Sequence, residues 1–341
     1  MTLSLLEHFS RRLGIDLGTA NVLICDSQNG ILVNEPSVVA IDLLKGKMIT
    51  AGQEAKRMTG RNPAAIEVLY PLRDGVINHF DYAAEMLSTF LKKAGRREFL
   101  CHNRTVICVP TETTPVERRA FRDLVRSVGA GVVHVIEEPM AAAIGAGLPV
   151  TEPRGSMIVD FGGGTTEIAV FSLGGVVCSG SVRIGGYHLD HAIIFNLRRR
   201  KNFLIGEQSA EAVKIQLGSA DGSVEGQMPV NGKDLIRQLP GILIVDAQEV
   251  FQAIQPSINL IVHAVKSTVE RIPPELTADI ADRGLVLAGG GALLKGLDRV
   301  IQRETGIPTT IAEQPLLAVV RGTARALTDE AVLNKICLTI P

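Results

Sequence analysis

The sequence contains no tryptophan, and aromatic residues make up only 4% of its 341 positions. Surfaces on which nucleic-acid bases or sugars could stack are therefore scarce. Lys and Arg number 35 against 36 Asp and Glu, so the net charge is −1 and no large basic field is available for a phosphate backbone. We predict that nucleic acid is not a partner.

The five cysteines are an odd number and form no C-x-x-C pair, which disfavours a disulfide framework or a structural zinc site. No apolar run reaches the roughly 18 residues of a membrane span. The N-terminal segment also lacks the basic start and long apolar middle of a signal peptide. We expect a protein of the reducing cytoplasm.

Apolar segments with the pattern of strands alternate along the chain with segments of helical periodicity. We predict strands at 13–16, 21–25, 38–41, 105–109, 132–136, 157–160, 166–171 and 285–288, and helices at 80–93, 115–128 and 292–304. The polar, glycine-rich segment 218–240 is predicted to form loops or a small subdomain. This alternation and the chain length predict an α/β protein of two or more lobes.

One sequence pattern occurs twice: an apolar strand, an aspartate, an apolar residue, glycine and threonine. The first copy contains Asp16 and Gly18, and the second contains Asp160 and Gly162. A motif that occurs at Asp16 and again at Asp160, far apart in the same chain, predicts a duplicated fold. We expect each half to contribute one hairpin to a shared cleft.

The residues of the two turns suit the binding of phosphates. Glycines let backbone N–H groups approach phosphate oxygens closely, and the turns contain Gly18, Thr19, Ala20, Gly162, Gly163 and Gly164. Carboxylates beside phosphates repel them unless a cation lies between, which predicts Mg²⁺ near Asp16 and Asp160. The alternative is a pair of ordinary hairpins with capping aspartates.

Three further motifs admit a functional and a structural interpretation. Glu137 and Glu138 follow a strand, where one could orient an attacking water or both could simply favour the start of a helix. The glycine run 289–291 could approach a nucleotide or form a tight turn. His188 and His191 lack a third metal ligand nearby, which favours solvated helix residues. No Walker A motif occurs, so any ATP would be bound without a P-loop.

Taken together, these residues resemble the superfamily of actin, sugar kinases and heat-shock chaperone ATPases, and most closely its MreB family of bacterial cell-shape proteins. The resemblance extends from about residue 13 to residue 328. It rests on motifs that follow the family in order: Ile15-Asp16-Leu17-Gly18-Thr19-Ala20-Asn21, Asn34-Glu35-Pro36-Ser37, Ile136-Glu137-Glu138-Pro139-Met140, Asp160-Phe161-Gly162-Gly163-Gly164-Thr165, Pro273-Pro274-Glu275-Leu276 and Ala288-Gly289-Gly290-Gly291.

The resemblance implies a duplicated actin-like (ribonuclease-H-like) ATPase fold, with two lobes and four subdomains around a nucleotide cleft. The expected division begins with an amphipathic membrane-binding helix at 1–12. Subdomain IA then covers 13–33, 71–145 and 317–341, and subdomain IB covers 34–70. Subdomain IIA covers 146–182 and 257–316, and subdomain IIB covers 183–256.

The resemblance also implies the roles of individual residues toward ATP and Mg²⁺. Glu138 orients the attacking water with help from Thr165, and Asp160 is the carboxylate on the magnesium side. Asp16 and Asp160 hold the ion, through water. The implied nucleotide-binding residues are Asp16, Gly18, Thr19, Ala20, Asn21, Gly162, Gly163, Gly164, Thr165, Thr166, Glu211, Lys214, Gly289, Gly290, Gly291 and Ala292, of which Glu211 and Lys214 hold the ribose.

The function implied by the family is a slow ATPase that polymerises into paired protofilaments. These filaments lie at the inner face of the bacterial plasma membrane and maintain cell shape by guiding peptidoglycan synthesis. The implied partners are further copies of the chain, the wall-elongation machinery and a membrane-spanning adaptor. The sequence departs from the family at Tyr187, His188, Gln216 and Gln314.

Two apolar segments are predicted to contact the membrane. Leu5, Leu6 and Phe9 fall on one face of a short N-terminal helix, and Phe99 and Leu100 follow two arginines. Each buried apolar side chain contributes roughly 1.5–3 kcal/mol, so single molecules would bind weakly and filaments tightly. A disordered tail, or a helix docked on its own domain, is the alternative.

Two other functions are compatible with this kind of fold. A small-molecule kinase would need a base beside an acceptor hydroxyl and a polar substrate pocket, neither of which the sequence indicates. A nucleotide-binding scaffold that hydrolyses weakly would keep the same motifs, and the sequence does not separate it from an ATPase.

Overall fold

The computed structural model describes residues 12–94 and 104–338. The predicted N-terminal helix lies outside the described residues, except for its last position, Arg12, which begins a strand. Phe99 and Leu100 also lie outside them. The two predicted membrane segments therefore remain predictions. Within the described residues, no helix is both long and apolar enough to cross a membrane.

The N-terminal part of the described chain is rich in strands. In chain order its elements are β1 (Arg12–Leu17), β2 (Asn21–Asp26), β3 (Gly30–Pro36), β4 (Val39–Asp42), β5 (Lys47–Ala51), α1 (Gln53–Met58), β6 (Ile66–Leu69), β7 (Leu72–Arg73), β8 (Val76–Ile77), α2 (Phe80–Lys93), β9 (Arg104–Val109), α3 (Pro115–Ser127), β10 (Val132–Glu137) and α4 (Glu138–Gly145).

The remaining part has longer helices. Its elements are β11 (Ser156–Phe161), β12 (Thr166–Ser172), β13 (Gly175–Val182), α5 (Gly186–Lys201), β14 (Phe203–Leu204), α6 (Glu207–Leu217), β15 (Gln227–Asp234), β16 (Leu239–Asp246), α7 (Ala247–Val269), α8 (Pro274–Arg283), β17 (Leu285–Ala288), α9 (Leu297–Thr305), β18 (Thr309–Ile311), α10 (Ala318–Ala326) and α11 (Glu330–Ile336).

The described residues divide into two compact units. The first unit contains the described chain up to Arg154, the segment Phe171–Val177 and the residues from Leu316 onward. The second unit contains Gly155–Val170 and Cys178–Pro315. Each unit has its own buried apolar cluster.

The first unit is organised by a sheet with the strand order β10-β9-β1-β2-β3. Strands β10, β9 and β1 are parallel, whereas β2 and β3 continue from β1 as an antiparallel meander. From Leu13 to Leu17, β1 is buried at every position, as expected of a strand covered on both faces. A separate three-stranded sheet, β5-β4-β6, lies within the expected subdomain IB.

The second unit repeats this arrangement in its sheet β13-β12-β11-β17-β18. In both sheets the first strand lies in the middle, with the second and third strands on one side and two later strands on the other. Strand β17 is parallel to β11, and β18 is parallel to β17. The shared strand order confirms the duplicated α/β fold. A three-stranded sheet, β14-β15-β16, falls within the expected subdomain IIB.

One sequence prediction of local structure was wrong in its bounds, and a second was right in only one of its two alternatives. The helix expected at 292–304 is a 3₁₀ turn, Gly290–Leu293, followed by α9, which begins only at Leu297. The helix is interrupted because Gly296 adopts a left-handed conformation with φ of 76°. The segment 218–240 contains strand β15 and the start of β16, which belong to the three-stranded sheet β14-β15-β16, so the alternative of a small subdomain fits it better than loops do.

Helices α4 and α10 of the first unit approach each other so closely that glycine is required at the contact. A Cβ atom on Gly322 would overlap the carbonyl group of Ala141, and a Cβ on Gly145 would overlap that of Ala318. On the adjacent strand, a Cβ on Gly14 would overlap Thr323. This contact fixes the position of α4, the helix whose first residue is Glu138.

We predict that Gly322→Ala lowers the free energy of unfolding by about 2–3 kcal/mol, because the added methyl group must push two helix backbones apart. The matched control is Gly206→Ala, since a Cβ atom there meets nothing within 4 Å. Urea titrations of both variants would measure the effect. Equal midpoints for the two variants would contradict the close contact.

Candidate functional site

In the first unit, the turn between β1 and β2 contains the first predicted phosphate loop. The hydroxyl of Ser37, which is wholly buried, donates a hydrogen bond of 2.5 Å to the Gly18 carbonyl, and the Ser37 amide donates to the Ala20 carbonyl at 3.0 Å. The Thr19 hydroxyl accepts from the Gly75 amide at 3.5 Å. Ser37 therefore holds the turn through two of its carbonyl groups.

Two of the predicted site residues come together where β1 leads into this turn. Ligand atoms of Asp16, Cys108 and Glu138 all lie within 4.8 Å of one another. The Cys108 thiol donates to Asp16 Oδ1 at 3.6 Å. Burial raises the pKa of Asp16 to about 7, and the hydrogen bond from Cys108 opposes part of this shift. A cation close to this carboxyl group would favour its charged form.

The structure distinguishes between the two neighbouring glutamates. Glu138 is the first residue of α4 and belongs to the group around Asp16, whereas Glu137 ends β10 and does not. Burial raises the pKa of Glu137, and Arg118 partly offsets this. Among the described residues, Glu137 Oε2 is buried without a hydrogen-bond partner. The fold thus places Glu138, and not Glu137, close to Asp16, one of the two carboxylates predicted to hold magnesium.

In the second unit, the predicted phosphate loop rests on the start of α5. The Gly186 amide donates to the Gly162 carbonyl at 3.0 Å, and the Tyr187 amide donates to the Gly163 carbonyl at 3.0 Å. A Cβ atom on Gly185 would overlap Gly163, so this approach requires glycine. The conformation of the loop therefore depends on the first turn of α5.

The two threonines after this loop differ in their surroundings. Thr166 is wholly buried, and its hydroxyl donates to the Ile184 carbonyl at 2.7 Å. Thr165 is half-buried, and its carbonyl accepts from the Gly162 amide at 2.9 Å. Thr166 thus supports the loop from within, and Thr165 is the threonine whose side chain is not fully enclosed.

The glycine run after β17 packs against the end of β11. Gly289 has φ of 78°, its amide donates to the Pro315 carbonyl at 3.0 Å, and a Cβ there would overlap the Phe161 carbonyl. Asp160, one residue before Phe161, is buried. Ala292 is also wholly buried, so its side chain belongs to the core. The run is a tight turn that also lies beside the predicted carboxylate Asp160.

The two residues predicted to hold a ribose lie on α6. Glu211 is half-buried, and the Lys214 ammonium contacts both carboxyl oxygens of Asp190, at 2.9 and 3.0 Å. Burial raises the pKa of Asp190 to about 6, and Lys214 opposes the shift.

His188 Nδ1 accepts from the Gly185 amide at 3.1 Å. This side chain caps the start of α5.

The family model described as MreB/Mbl protein matches residues 10–335 of the sequence. The chain belongs to the MreB/Mbl family. The cell shape-determining protein MreB of Escherichia coli (strain K12) is 49% identical over 325 residues, which are 94% of each chain. The cell shape-determining protein Mbl of Bacillus subtilis (strain 168) is 43% identical over 96% of this chain and 98% of its own.

A solved relative supports the same conclusion in three dimensions. MreB5 of Spiroplasma citri bound to ADP superimposes with a TM-score of 0.89 at 32% identity, covering 96% of this chain and 98% of its own. The same protein bound to AMPPNP gives a TM-score of 0.90. These comparisons confirm the actin-like fold of this MreB/Mbl chain and place it among proteins named for determining cell shape.

Sequence reasoning did not identify three residues that shape the candidate site of this MreB/Mbl chain. Ser37 follows a strand and carries no signal of its two contacts to the first loop. Cys108 has the appearance of an ordinary core residue of β9. Asp190 lies between His188 and His191 in the sequence and carries no signal of its own, although its position four residues after Gly186 places it one helical turn from the start of α5.

We predict that Asp16→Asn stabilises the nucleotide-free, metal-free protein at pH 8, by up to about 4 kcal/mol. The folded state binds a proton at Asp16 more tightly than the unfolded state, so the wild type loses stability as pH rises from about 4 to 7. The advantage of the variant should therefore shrink toward pH 5, as measured by urea titrations at each pH.

The matched control for this prediction is Asp42→Asn. Backbone hydrogen bonds from Lys45 and Leu44 lower the pKa of Asp42. At pH values above the ordinary aspartate pKa, the charge of Asp42 therefore stabilises the folded state. This variant should gain no stability at pH 8. If Asp16→Asn also gained none there, the carboxyl group would not be strained by burial.

Proposed function

We propose that this protein binds ATP with Mg²⁺, hydrolyses the ATP slowly, and polymerises into membrane-associated filaments that guide peptidoglycan synthesis. The observation that carries the nucleotide part is the proximity of Asp16 and Glu138 where strand β1 leads into a glycine turn. Phosphate hydrolysis needs two groups beside a phosphate loop: a carboxylate that holds a cation, and a second carboxylate that orients the attacking water.

The phosphate groups are assigned to the two glycine loops. In the first unit we assign them to Gly18, Thr19, Ala20 and Asn21, whose turn is held by Ser37. In the second unit we assign them to the loop from Gly162 to Thr166. This loop contacts the start of α5. Loops that are fixed before binding lose little conformational entropy when the phosphates arrive.

The residues present fit a magnesium ion. Asp16 is a buried carboxyl group whose raised pKa a divalent cation would lower, and carboxylate oxygen is a ligand that Mg²⁺ prefers. Asp160 is the buried carboxylate of the second unit that we assign to the same ion, through water. When bound, Mg²⁺ would supply positive charge to the phosphate oxygens.

Hydrolysis is assigned to Glu138, which would orient the attacking water and accept its proton, with Thr165 assisting. The first position of a helix favours a carboxylate in its charged form, because the backbone N–H groups there carry partial positive charge. The close contact of α4 with α10 keeps this side chain in place relative to Asp16. We assign the ribose to Glu211 and Lys214, and the adenosine to the turn Gly289, Gly290, Gly291 and Ala292.

The relatives support this proposal. ADP and AMPPNP are bound by MreB5 of Spiroplasma citri, and AMPPNP is an ATP analogue. The relatives from Escherichia coli and Bacillus subtilis are named as cell shape-determining proteins. From the family we propose paired protofilaments of this chain at the inner face of the plasma membrane, a membrane-spanning adaptor and the wall-elongation machinery as partners, and the four-subdomain division given above.

We predict that light scattering with Mg-ATP rises above a critical protein concentration, and that phosphate release follows it. Glu138→Ala should reduce phosphate release at least 100-fold without preventing assembly, because it removes only the group that orients water. Glu225→Ala, which changes an exposed glutamate, is the control. Absence of assembly at every concentration would contradict the filament, and phosphorylation of an added sugar would favour a kinase instead.

We predict that filaments bind liposomes through the two apolar segments outside the described residues. Deleting residues 2–12 and replacing Phe99 and Leu100 with Ser should abolish co-sedimentation of the polymer with vesicles, because the apolar area available for insertion is lost. Replacing the exposed Leu44 with Ser is a control for general loss of surface hydrophobicity. Unchanged co-sedimentation of the deletion variant would refute membrane binding by these segments.

A further inference from the structure

The loop that follows α6 lies against the segment that follows the glycine run after β17. The Ala220 amide donates to the Lys295 carbonyl at 2.8 Å, and Ser219 forms a parallel bridge with Lys295. The Leu294 amide, one residue earlier, donates to the Gly291 carbonyl at 3.0 Å. Within the second unit, backbone hydrogen bonds thus connect the end of α6 to the glycine run.

The Asp221 carboxylate binds both sides of this junction. On the loop, its Oδ1 accepts from the Ser219 hydroxyl at 2.6 Å and from the Ser223 amide at 3.0 Å. On α9, Arg299 Nε donates to Asp221 Oδ2 at 2.8 Å, and Arg299 Nη2 donates to the Ser223 hydroxyl at 2.9 Å. One carboxylate and one guanidinium group therefore join the loop after α6 to the helix that follows the glycine run.

The surroundings of Asp221 fix its carboxylate in place. Its side chain is only 14% exposed, although that of Arg299 is 62% exposed. A Cβ atom on Gly296 would overlap the Asp221 carboxyl group, so the carboxylate lies directly against the backbone before α9. Burial raises the pKa of Asp221, but hydrogen bonds from two serines of the loop and from Arg299 outweigh burial and hold the pKa below the ordinary aspartate value. The carboxylate therefore stays charged at neutral pH.

The segments that this junction connects are the ones assigned to the nucleoside. Glu211 and Lys214, assigned to the ribose, lie on α6, and the turn from Gly289 to Ala292 is assigned to the adenosine. A single nucleoside would contact both segments, so its affinity depends on their separation. Segments that are already held at that separation lose little conformational entropy when the nucleoside binds.

We propose that Asp221 and Arg299 form a clamp that holds α6 and the glycine run at the separation that a nucleoside requires. Both are positioning residues, since neither is assigned a contact with the nucleotide. This inference rests on the proposed nucleotide binding and extends it to two residues outside the assigned site. The phosphates are assigned to other loops, so loss of the clamp should weaken binding of the nucleoside and leave binding of the phosphates unchanged.

The test compares the dissociation constants of Mg-ATP and of magnesium tripolyphosphate, which carries three phosphates but no nucleoside. Asp221→Asn keeps the shape of the side chain and removes its charge, and Arg299→Gln removes the opposite charge. Each variant should weaken ATP binding about fivefold, as expected for a charge-assisted hydrogen bond whose arginine is partly exposed. The dissociation constant of tripolyphosphate should stay the same.

Arg303→Gln is the matched control for the loss of an arginine. Arg303 lies on the same helix, its side chain is 67% exposed, and it forms a 3.4 Å ion pair with the adjacent Glu304. Its replacement should change the affinity for neither ligand. Because Asp221 and Arg299 act on each other, the variant with both replacements should bind ATP no more weakly than either single variant.

Hydrogen exchange of the nucleotide-free protein measures the clamp without any ligand. The amides of residues 219–223 and 291–297 should exchange faster in Asp221→Asn and in Arg299→Gln than in the wild type, because the contact that holds the two segments together is weakened. In Arg303→Gln these amides should exchange at the wild-type rate.

Three outcomes are decisive. If the two clamp variants weaken tripolyphosphate as much as ATP, they disturb the fold as a whole and the inference is wrong. Unchanged ATP affinity in both variants, or unchanged exchange at both segments, would also overturn it. If the wild type binds no ATP but exchange accelerates as expected, the clamp between the two segments is supported, and it is the proposed nucleotide binding that fails.

Discussion

A carboxylate that is buried beside a glycine loop must be neutralised, and the two units meet this requirement in different ways. Burial raises the pKa of Asp16 to about 7 and that of Asp190 to about 6. In the second unit, Lys214 neutralises Asp190 from within the chain. In the first unit, the thiol of Cys108 is a weak donor to Asp16. The carboxylate Asp190 of the second unit is therefore paired without a ligand, whereas Asp16 of the first unit gains most from an added cation.

Close contacts at glycine residues fix the positions of the start of α4 and of the second glycine loop. Where α10 meets α4 at Gly322, the two helix backbones touch, and the first residue of α4 cannot shift without disturbing that contact. Where Gly185 meets the second loop, the start of α5 touches the loop backbone in the same way. Close packing of backbone on backbone leaves less freedom than side-chain packing would, since no rotamer can adjust. Glu138 is therefore held in place by the contact of α4 with α10, and the second glycine loop by its contact with the start of α5.

The sequence predicted those features that depend on neighbouring residues in the chain. The strands that carry Asp16 and Asp160 and the turns after them follow from local patterns, although each strand extends one residue beyond its aspartate. The repeated motif predicted the duplicated fold, but not the order of the strands in each sheet. The contact between Asp190 and Lys214 joins two helices across 24 residues, and no periodicity in either helix reveals it. The break at Gly296 was missed for a related reason, since an isolated glycine within a helical pattern is often tolerated and only its left-handed conformation ends the helix.

The departures from the family at Tyr187 and His188 fall on positions whose observed contacts do not require an acidic side chain. Tyr187 reaches the second loop through its backbone amide, which donates to the Gly163 carbonyl and would do so with almost any residue. His188 accepts the Gly185 amide through Nδ1, which is the role that an acidic or amide side chain takes in a capping box. The imidazole ring fills that role without adding a negative charge beside the phosphate loop. The loop geometry can therefore persist through both changes, because the backbone and the cap that support it are retained.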